Sequence, residues 1–213
     1  MPEALVPARG QPLSGLRGTP GAPAALEGLG RTLARLHGVA MPGYWRPDPT
    51  GRWEDDVAAL RRGFVAERAG ERGHLRAAGF PPAQIDRMIT AIYAPPPDTR
   101  PVLCHGDPTP EHIYIDEAGA VSDLIDWGMW CGGFPVDDLA DAARVYRRDE
   151  FELILRGHGE SLADPAFGRQ LWTACIGQAI GHLTHHANIG DPAGVRRNAR
   201  ALHTAMQELD SLH

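Results

Sequence analysis

Between residues 105 and 127 the chain reads His-Gly-Asp-Pro-Thr-Pro-Glu-His-Ile-Tyr-Ile-Asp, four turn-like residues, then Val-Ser-Asp-Leu-Ile-Asp-Trp. No other stretch restricts the possible folds so strongly. Residues 113–115 and 121–125 are short apolar strands on either side of a turn at Glu117–Gly119, which spells a hairpin. Acidic residues adjoin both strands, and an apolar core does not tolerate unpaired carboxylates. Asp107 stands five positions before His112, and Asp126 stands fourteen beyond it.

That spacing is the layout of a phosphoryl-transfer catalytic loop. One Asp orients an attacking hydroxyl and accepts its proton, a ligand five residues later holds a metal, and a second Asp after a hairpin holds the metals on the nucleotide phosphates. Protein kinases write it His-Arg-Asp-x4-Asn, then Asp-Phe-Gly. Here it is His105-Gly106-Asp107-x4-His112, then Ile125-Asp126-Trp127.

The wording resembles the aminoglycoside phosphotransferase and choline kinase family of small-molecule kinases. Gly106, the Ile-Asp-Trp ending and the following Gly133-x-Pro135-x2-Asp138-Leu139-Ala140 carry the resemblance. It covers most of residues 1–150, is specific at 105–140 and weakens beyond. It implies an α+β, mostly helical fold: a protein-kinase-like C-terminal lobe with short β hairpins. It also implies ATP as phosphoryl donor, Mg²⁺ as metal with Mn²⁺ as the alternative, and a small-molecule hydroxyl acceptor such as an aminoglycoside or macrolide antibiotic. The catalytic candidates are Asp107, as the base, and His105, which reads as a tie between the loop and backbone groups. The metal candidates are Asp126 and His112.

His112 departs from the family's usual Asn, and macrolide phosphotransferases resemble this variant. An imidazole nitrogen is a poorer partner for Mg²⁺ than an amide oxygen. His112 is therefore either a metal ligand or a brace bonded to Asp107 or Asp126. Tyr114 and Ile125 are either the floor beneath an adenine ring or ordinary core. Asp138 is expected to anchor the catalytic loop, and Asp123 to point to solvent.

The second informative feature is an absence. All 21 basic side chains are Arg. Kinases of this fold carry a Lys on a strand of the N-terminal lobe that pairs with the nucleotide phosphates, and Arg is not an easy substitute there. No Gly-rich phosphate loop follows a strand. The opening Glu3-Ala4-Leu5-Val6-Pro7 resembles the hinge between lobes, which makes Leu5 and Val6 nucleotide-binding candidates. The expectation is a hinge-like segment and linker over 1–23 and a C-terminal lobe over 24–213, with impaired activity and an exposed face prone to self-association.

Composition excludes several classes. A net charge of −6 argues against a general nucleic-acid binder. No apolar stretch approaches the roughly 20 residues that span a bilayer, so no membrane partner is expected. Cys104, Cys131 and Cys175 include no Cys-x2-Cys pair, which disfavours structural zinc and favours a reduced, cytoplasmic setting.

Hydrophobic spacing predicts helices over 24–38, 53–78, about 82–92, 136–147, 150–157, 165–188 and 192–211. The glycines at 63, 70 and 73 weaken the second of these. A strand over 102–104 delivers the catalytic loop. His182, His185 and His186 share one helix face, either as a substrate-side or solvated face or as a transition-metal site. Two rivals to the kinase reading stand: a non-catalytic lobe that binds a ligand or partner, and a metal-dependent hydrolase built on those histidines.

Overall fold

The computed structural model describes residues 8–92 and 99–212. Leu5, Val6 and the Pro95–Pro97 run lie outside them. Strand β1 (Gln11–Pro12) leads into the one-turn helix α1 (Leu13–Leu16) and then helix α2 (Ala22–Leu36). Residues 11–16, expected within a linker, are integrated into the fold: Gln11 and Pro12 pair with Ile115 and Tyr114, and Leu13 is fully buried. Glycine and proline there signal loop locally, and burial of Leu13 overrides them.

Helices α3 (Val57–Gly70) and α4 (Arg72–Ala77) replace the single helix expected over 53–78. Asp56 starts α3 by accepting from the Ala59 amide at 2.9 Å. The break at Glu71, between Gly70 and Gly73, shows the low helix propensity of glycine prevailing. Helix α5 (Pro82–Ala91) follows, its Ile85, Met88 and Ile89 buried.

Strand β2 (Val102–Cys104), the hairpin β3 (Ile113–Ile115) and β4 (Val121–Leu124), a 3₁₀ turn at Trp127–Met129 and strand β5 (Cys131–Gly133) make up the central segment. The strands form two small antiparallel sheets, β1-β3-β4 and β2-β5. Single bridges from Ala40 to Val102 and from Trp45 to Gly132 widen the second. Helices α6 (Pro135–Val145), α7 (Arg148–His158), α8 (Pro165–Asn188) and α9 (Pro192–Ser211) complete the chain. Asp164 and Asp191 cap the last two, each followed by a Pro at the first helical position.

The core is one helical cluster. α8 packs on α9 and α6, and α2 on α7. The α2–α7 crossing is close because it runs through Gly30 and Gly157: a Cβ on Gly30 would strike the Ile154 carbonyl, and one on Gly157 the Glu27 carbonyl. The crossing brings His37, just past the end of α2, against His158 at the end of α7. Among the described residues no helix is long and apolar enough to cross a membrane, and Cys104, Cys131 and Cys175 are buried and unbridged.

Candidate active site

β2 ends at Cys104, and the next three residues, His105, Gly106 and Asp107, turn out of the sheet. What holds this turn lies behind it. Asp138, fully buried on the first turn of α6, accepts from the His105 amide at 2.9 Å and the Gly106 amide at 2.7 Å. Its carboxylate also takes the Nε2–H of His37 at 3.1 Å. Since a carboxylate only accepts, this fixes the His37 tautomer, and Nδ1 of His37 then accepts from Nε2 of His158 at 2.9 Å. Burial depresses the His158 pKa to about 4, so this ring is neutral near pH 7. The expectation that Asp138 anchors the loop rather than facing a ligand agrees with this geometry.

Two further contacts finish the loop. The buried Tyr146 hydroxyl donates to the Pro108 carbonyl at 3.1 Å, and the Ser14 amide donates to Pro110. The His105 ring is fully buried: its Nε2–H donates to the Ile125 carbonyl at 2.9 Å, its Nδ1 accepts from the Asp107 amide at 3.3 Å, and Trp127 packs on it with centroids 4.7 Å apart. Both ring nitrogens are therefore committed to backbone. His105 ties the two acidic loops together and keeps no nitrogen for moving a proton.

Gly106 has φ +80°, and a Cβ there would run into the carbonyl of Met129. The catalytic loop and the 3₁₀ turn thus touch backbone to backbone. Asp126 lies at the mouth of that turn in the left-handed region, φ 58°, ψ 57°, which a short acidic side chain tolerates better than most. His112, just ahead of β3, stands between the two acids. Its Nδ1 is 3.3 Å from Asp107 Oδ2 and its Nε2 is 3.5 Å from Asp126 Oδ2. Nδ1 also lies 3.1 Å from both the Thr109 hydroxyl and the Asp107 carbonyl. The Ile125 amide donates to the His112 carbonyl, stitching the hairpin across the site.

The three side chains differ in exposure: 34% for Asp107, 20% for His112 and 61% for Asp126. Burial raises the Asp107 pKa, and His112 opposes the shift. Tyr114 lies on the less buried face of β3, directly opposite Asp123. Asp123 is not idle at the surface; it accepts the Arg9 amide at 2.9 Å.

The distant histidine motif does not come together as one centre. His182 faces Asp141 at 3.5 Å, His186 lies 2.9 Å from Asp191, and His185 is exposed. The contact between buried His37 and half-buried His158 has almost no signal in the sequence. The only hint was its place in the Arg35-Leu36-His37 helix end.

Solved structures with this arrangement of helices and small sheets are kinase-like phosphotransferases. A choline/ethanolamine kinase family protein from Mesorhizobium loti superposes with a TM-score of 0.54 at 18% identity, covering 96% of this chain and 71% of that one. A thermostable mutant of an aminoglycoside phosphotransferase, in ternary complex with ADP and hygromycin B, gives 0.60 at 16%, covering 97% and 69%. A GDP complex of an aminoglycoside 2'-phosphotransferase gives 0.56 at 15%, covering 93% and 68%. These likenesses define the class as a kinase-like fold of mostly helical architecture. The sequence model of the phosphotransferase enzyme family, APH, matches residues 8–172, and the chain belongs to that family. No curated protein sequence matches it significantly.

Proposed function

We propose that the chain transfers a phosphoryl group from a nucleoside triphosphate, ATP in the first instance, to a hydroxyl of a small molecule, with aminoglycosides and macrolides among the candidate acceptors. One observation carries this reading: Asp107 and Asp126 each come within 3.5 Å of His112, and the loop that bears Asp107 is already fixed from behind. Phosphoryl transfer through a loose transition state needs positioning and charge neutralisation more than a strong base. Asp107 suits that task, being partly desolvated and able to orient a hydroxyl and take its proton.

The donor set fits a divalent cation. The outward imidazole nitrogen of His112 and a carboxylate oxygen of Asp126 stand at a separation that two ligands of one ion adopt. Mg²⁺ or Mn²⁺ held there would neutralise charge on the phosphates. Asp107 faces the acceptor side of the pair. In this reading Tyr114 and Ile125 floor the nucleotide base; the remaining nucleotide-binding candidates, Leu5 and Val6, lie outside the described residues. The kinase-like lobe expected over 24–213 also takes in residues 11–16, which pair with β3 and pack into its core.

These 213 residues contain no Lys, so they supply no lysine arm to a phosphate clamp. We expect turnover by them alone below the roughly 1–100 s⁻¹ usual for kinases. The test is phosphate transfer from ATP or GTP, with Mg²⁺ or Mn²⁺, to kanamycin, hygromycin B, a macrolide and choline, followed by mass spectrometry. A gain of one phosphoryl group on any acceptor, lost in Asp107→Asn, supports the proposal. Binding of nucleotide–metal that does not depend on Asp126 would overturn it.

A further inference from the structure

We propose that His37, Cys104 and Asp138 form a binding site for a zinc ion behind the catalytic loop, separate from the cation site at His112 and Asp126 and different in chemistry. The site stands whether or not the phosphotransferase reading does.

Three elements converge there. His37 follows α2, Cys104 ends β2 and Asp138 lies on the first turn of α6. A ring nitrogen, the Sγ and a carboxylate oxygen of the three lie within 4.8 Å of one another, and His37 Nε2 is 3.1 Å from Asp138 Oδ2. Zinc bonds to these donor types at about 2.0–2.3 Å, which spaces tetrahedral donors about 3–4 Å apart. The trio therefore needs a contraction of about 1 Å at most to close on one ion. A missing side chain keeps room beside the thiol: a Cβ on Gly133 would stand 3.1 Å from Cys104 Sγ. No zinc spacing marks the site in the sequence, because each donor comes from a different element. The convergence revises the expectation drawn from the absent Cys-x2-Cys pair.

Donor chemistry selects the ion. Thiolate and imidazole suit zinc, whereas Mg²⁺ takes oxygen. Charge selects it again. The side chains of His37 and Asp138 are 4% and 0% exposed and Cys104 is 1% exposed, so an uncompensated charge is costly here. One thiolate and one carboxylate cancel a divalent cation, and a neutral imidazole adds nothing. A monovalent soft ion such as Cu⁺ would leave a negative charge buried.

The protons have somewhere to go. Zinc needs the lone pair of His37 Nε2, which carries the hydrogen donated to Asp138. His37 Nδ1 faces Nε2 of His158 at 2.9 Å, and the far nitrogen of His158, Nδ1, is buried with no hydrogen-bond partner among the described residues. Shifting both rings to the other tautomer frees His37 Nε2, lets His37 Nδ1–H donate to His158 Nε2, and moves a hydrogen to a His158 Nδ1 that has no bond to lose. Net charge does not change in that shift. Cys104, whose thiol donates to the Phe134 carbonyl at 3.3 Å, gives its proton to solvent. His158 is then the outer partner that orients a metal-bound imidazole. Asp138 still accepts the His105 and Gly106 amides, so zinc takes the place of one hydrogen and leaves the loop anchor standing.

The test uses the whole chain with Co²⁺ as the optical probe and Zn²⁺ as the competitor. Co²⁺ should give a thiolate-to-metal charge-transfer band, which the cation site at His112 and Asp126 has no sulfur to produce. Zn²⁺ should displace the band, and excess Mg²⁺ should not. Cys104→Ser should abolish it and weaken Zn²⁺ binding, measured by chelator competition, more than about 100-fold, with Cys104→Ala in its place if the serine variant does not fold. His158→Gln, which alters only the outer partner, should weaken Zn²⁺ about tenfold or more. Cys175→Ala and Asp126→Asn should leave the band unchanged. Zn²⁺ should also raise the thermal unfolding midpoint of the wild type and not that of the Cys104 variants. No charge-transfer band from the wild-type chain, a band that survives loss of the Cys104 sulfur, or one that vanishes in Cys175→Ala would overturn the site.

Discussion

The two acidic loops of the site are built in opposite ways. Asp107 sits on a turn fastened from behind: Asp138, Tyr146 and the His105 ring hold its backbone, and His37 and His158 stand in line behind Asp138. Asp126 sits on a turn held from the surface, where Arg46 donates to the Gly128 and Trp130 carbonyls and the Trp127 indole to the Leu124 carbonyl, and its carboxylate is largely in solvent. The contrast suits the work proposed for each. A group that orients a hydroxyl gains from a geometry set before the substrate arrives. A group that holds a cation receives most of its order from the ion and can stay solvated until then.

The sharpest way to break this comparison is to neutralise each acid. Asp107→Asn should lower turnover by about 10²–10⁴-fold while Mg–nucleotide affinity survives. Asp126→Asn should lower both. Calorimetric titration of ATP with metal into each variant, followed by a product assay, separates the two. An equal loss of nucleotide binding in both would show the roles to be misassigned.

Next in size is the anchor. Asp138→Ala removes the acceptor for two loop amides and leaves buried His37 without its partner. Breaking such a buried pair from one side costs about 3–5 kcal/mol. Urea unfolding should show a loss of that order, whereas Asp126→Ala should cost little. Similar losses in both variants would erase the contrast between the loops.

Acid should probe the same anchor. The unfolded His158 imidazole binds a proton near its ordinary value of 6.5, and the folded one only near 4. Between those values the unfolded state holds the extra proton. The contribution is therefore complete above about pH 7, declines as pH falls towards 4, and is flat below. With the ring part exposed, we expect about 1–3 kcal/mol. His158→Gln should flatten the slope of stability against pH in that window. A slope equal to wild type would remove His158 from the anchor's account.

The smallest effect tests how His112 joins the loops. Oxygen donors suit Mg²⁺ better than nitrogen does. His112→Asn should therefore raise Mg²⁺-supported activity relative to Mn²⁺-supported activity. An unchanged ratio would reduce His112 to a brace between Asp107 and Asp126.

Much of the central segment is legible in the sequence because its signals are local. The strands expected at 113–115 and 121–125 appear as Ile113–Ile115 and Val121–Leu124. Helices α8 and α9 fall where hydrophobic spacing puts them, since an Asp cap and a following Pro mark each start. What escapes depends on distant partners. β5 is Cys-Gly-Gly, with poor intrinsic preference for a strand, and exists because β2 pairs with it. Leu13 looks like part of a linker until Ile115 and the core close over that segment. The meeting of His37 and His158 spans 121 positions, and no spacing rule reaches that far. At the site, the spacing from Asp107 to His112 to Asp126 announces their proximity. That His182 faces Asp141 follows only from the packing of α8 on α6.

The missing side chain at Gly106 has a consequence for control. In many regulated kinases a segment is ordered when an arginine captures a newly added phosphate, and the enzyme is silent until then. Position 106 is where protein kinases place the Arg of His-Arg-Asp. Here its left-handed backbone and the close Met129 carbonyl leave no room for a side chain. An on–off device of that kind has nowhere to be installed at this position.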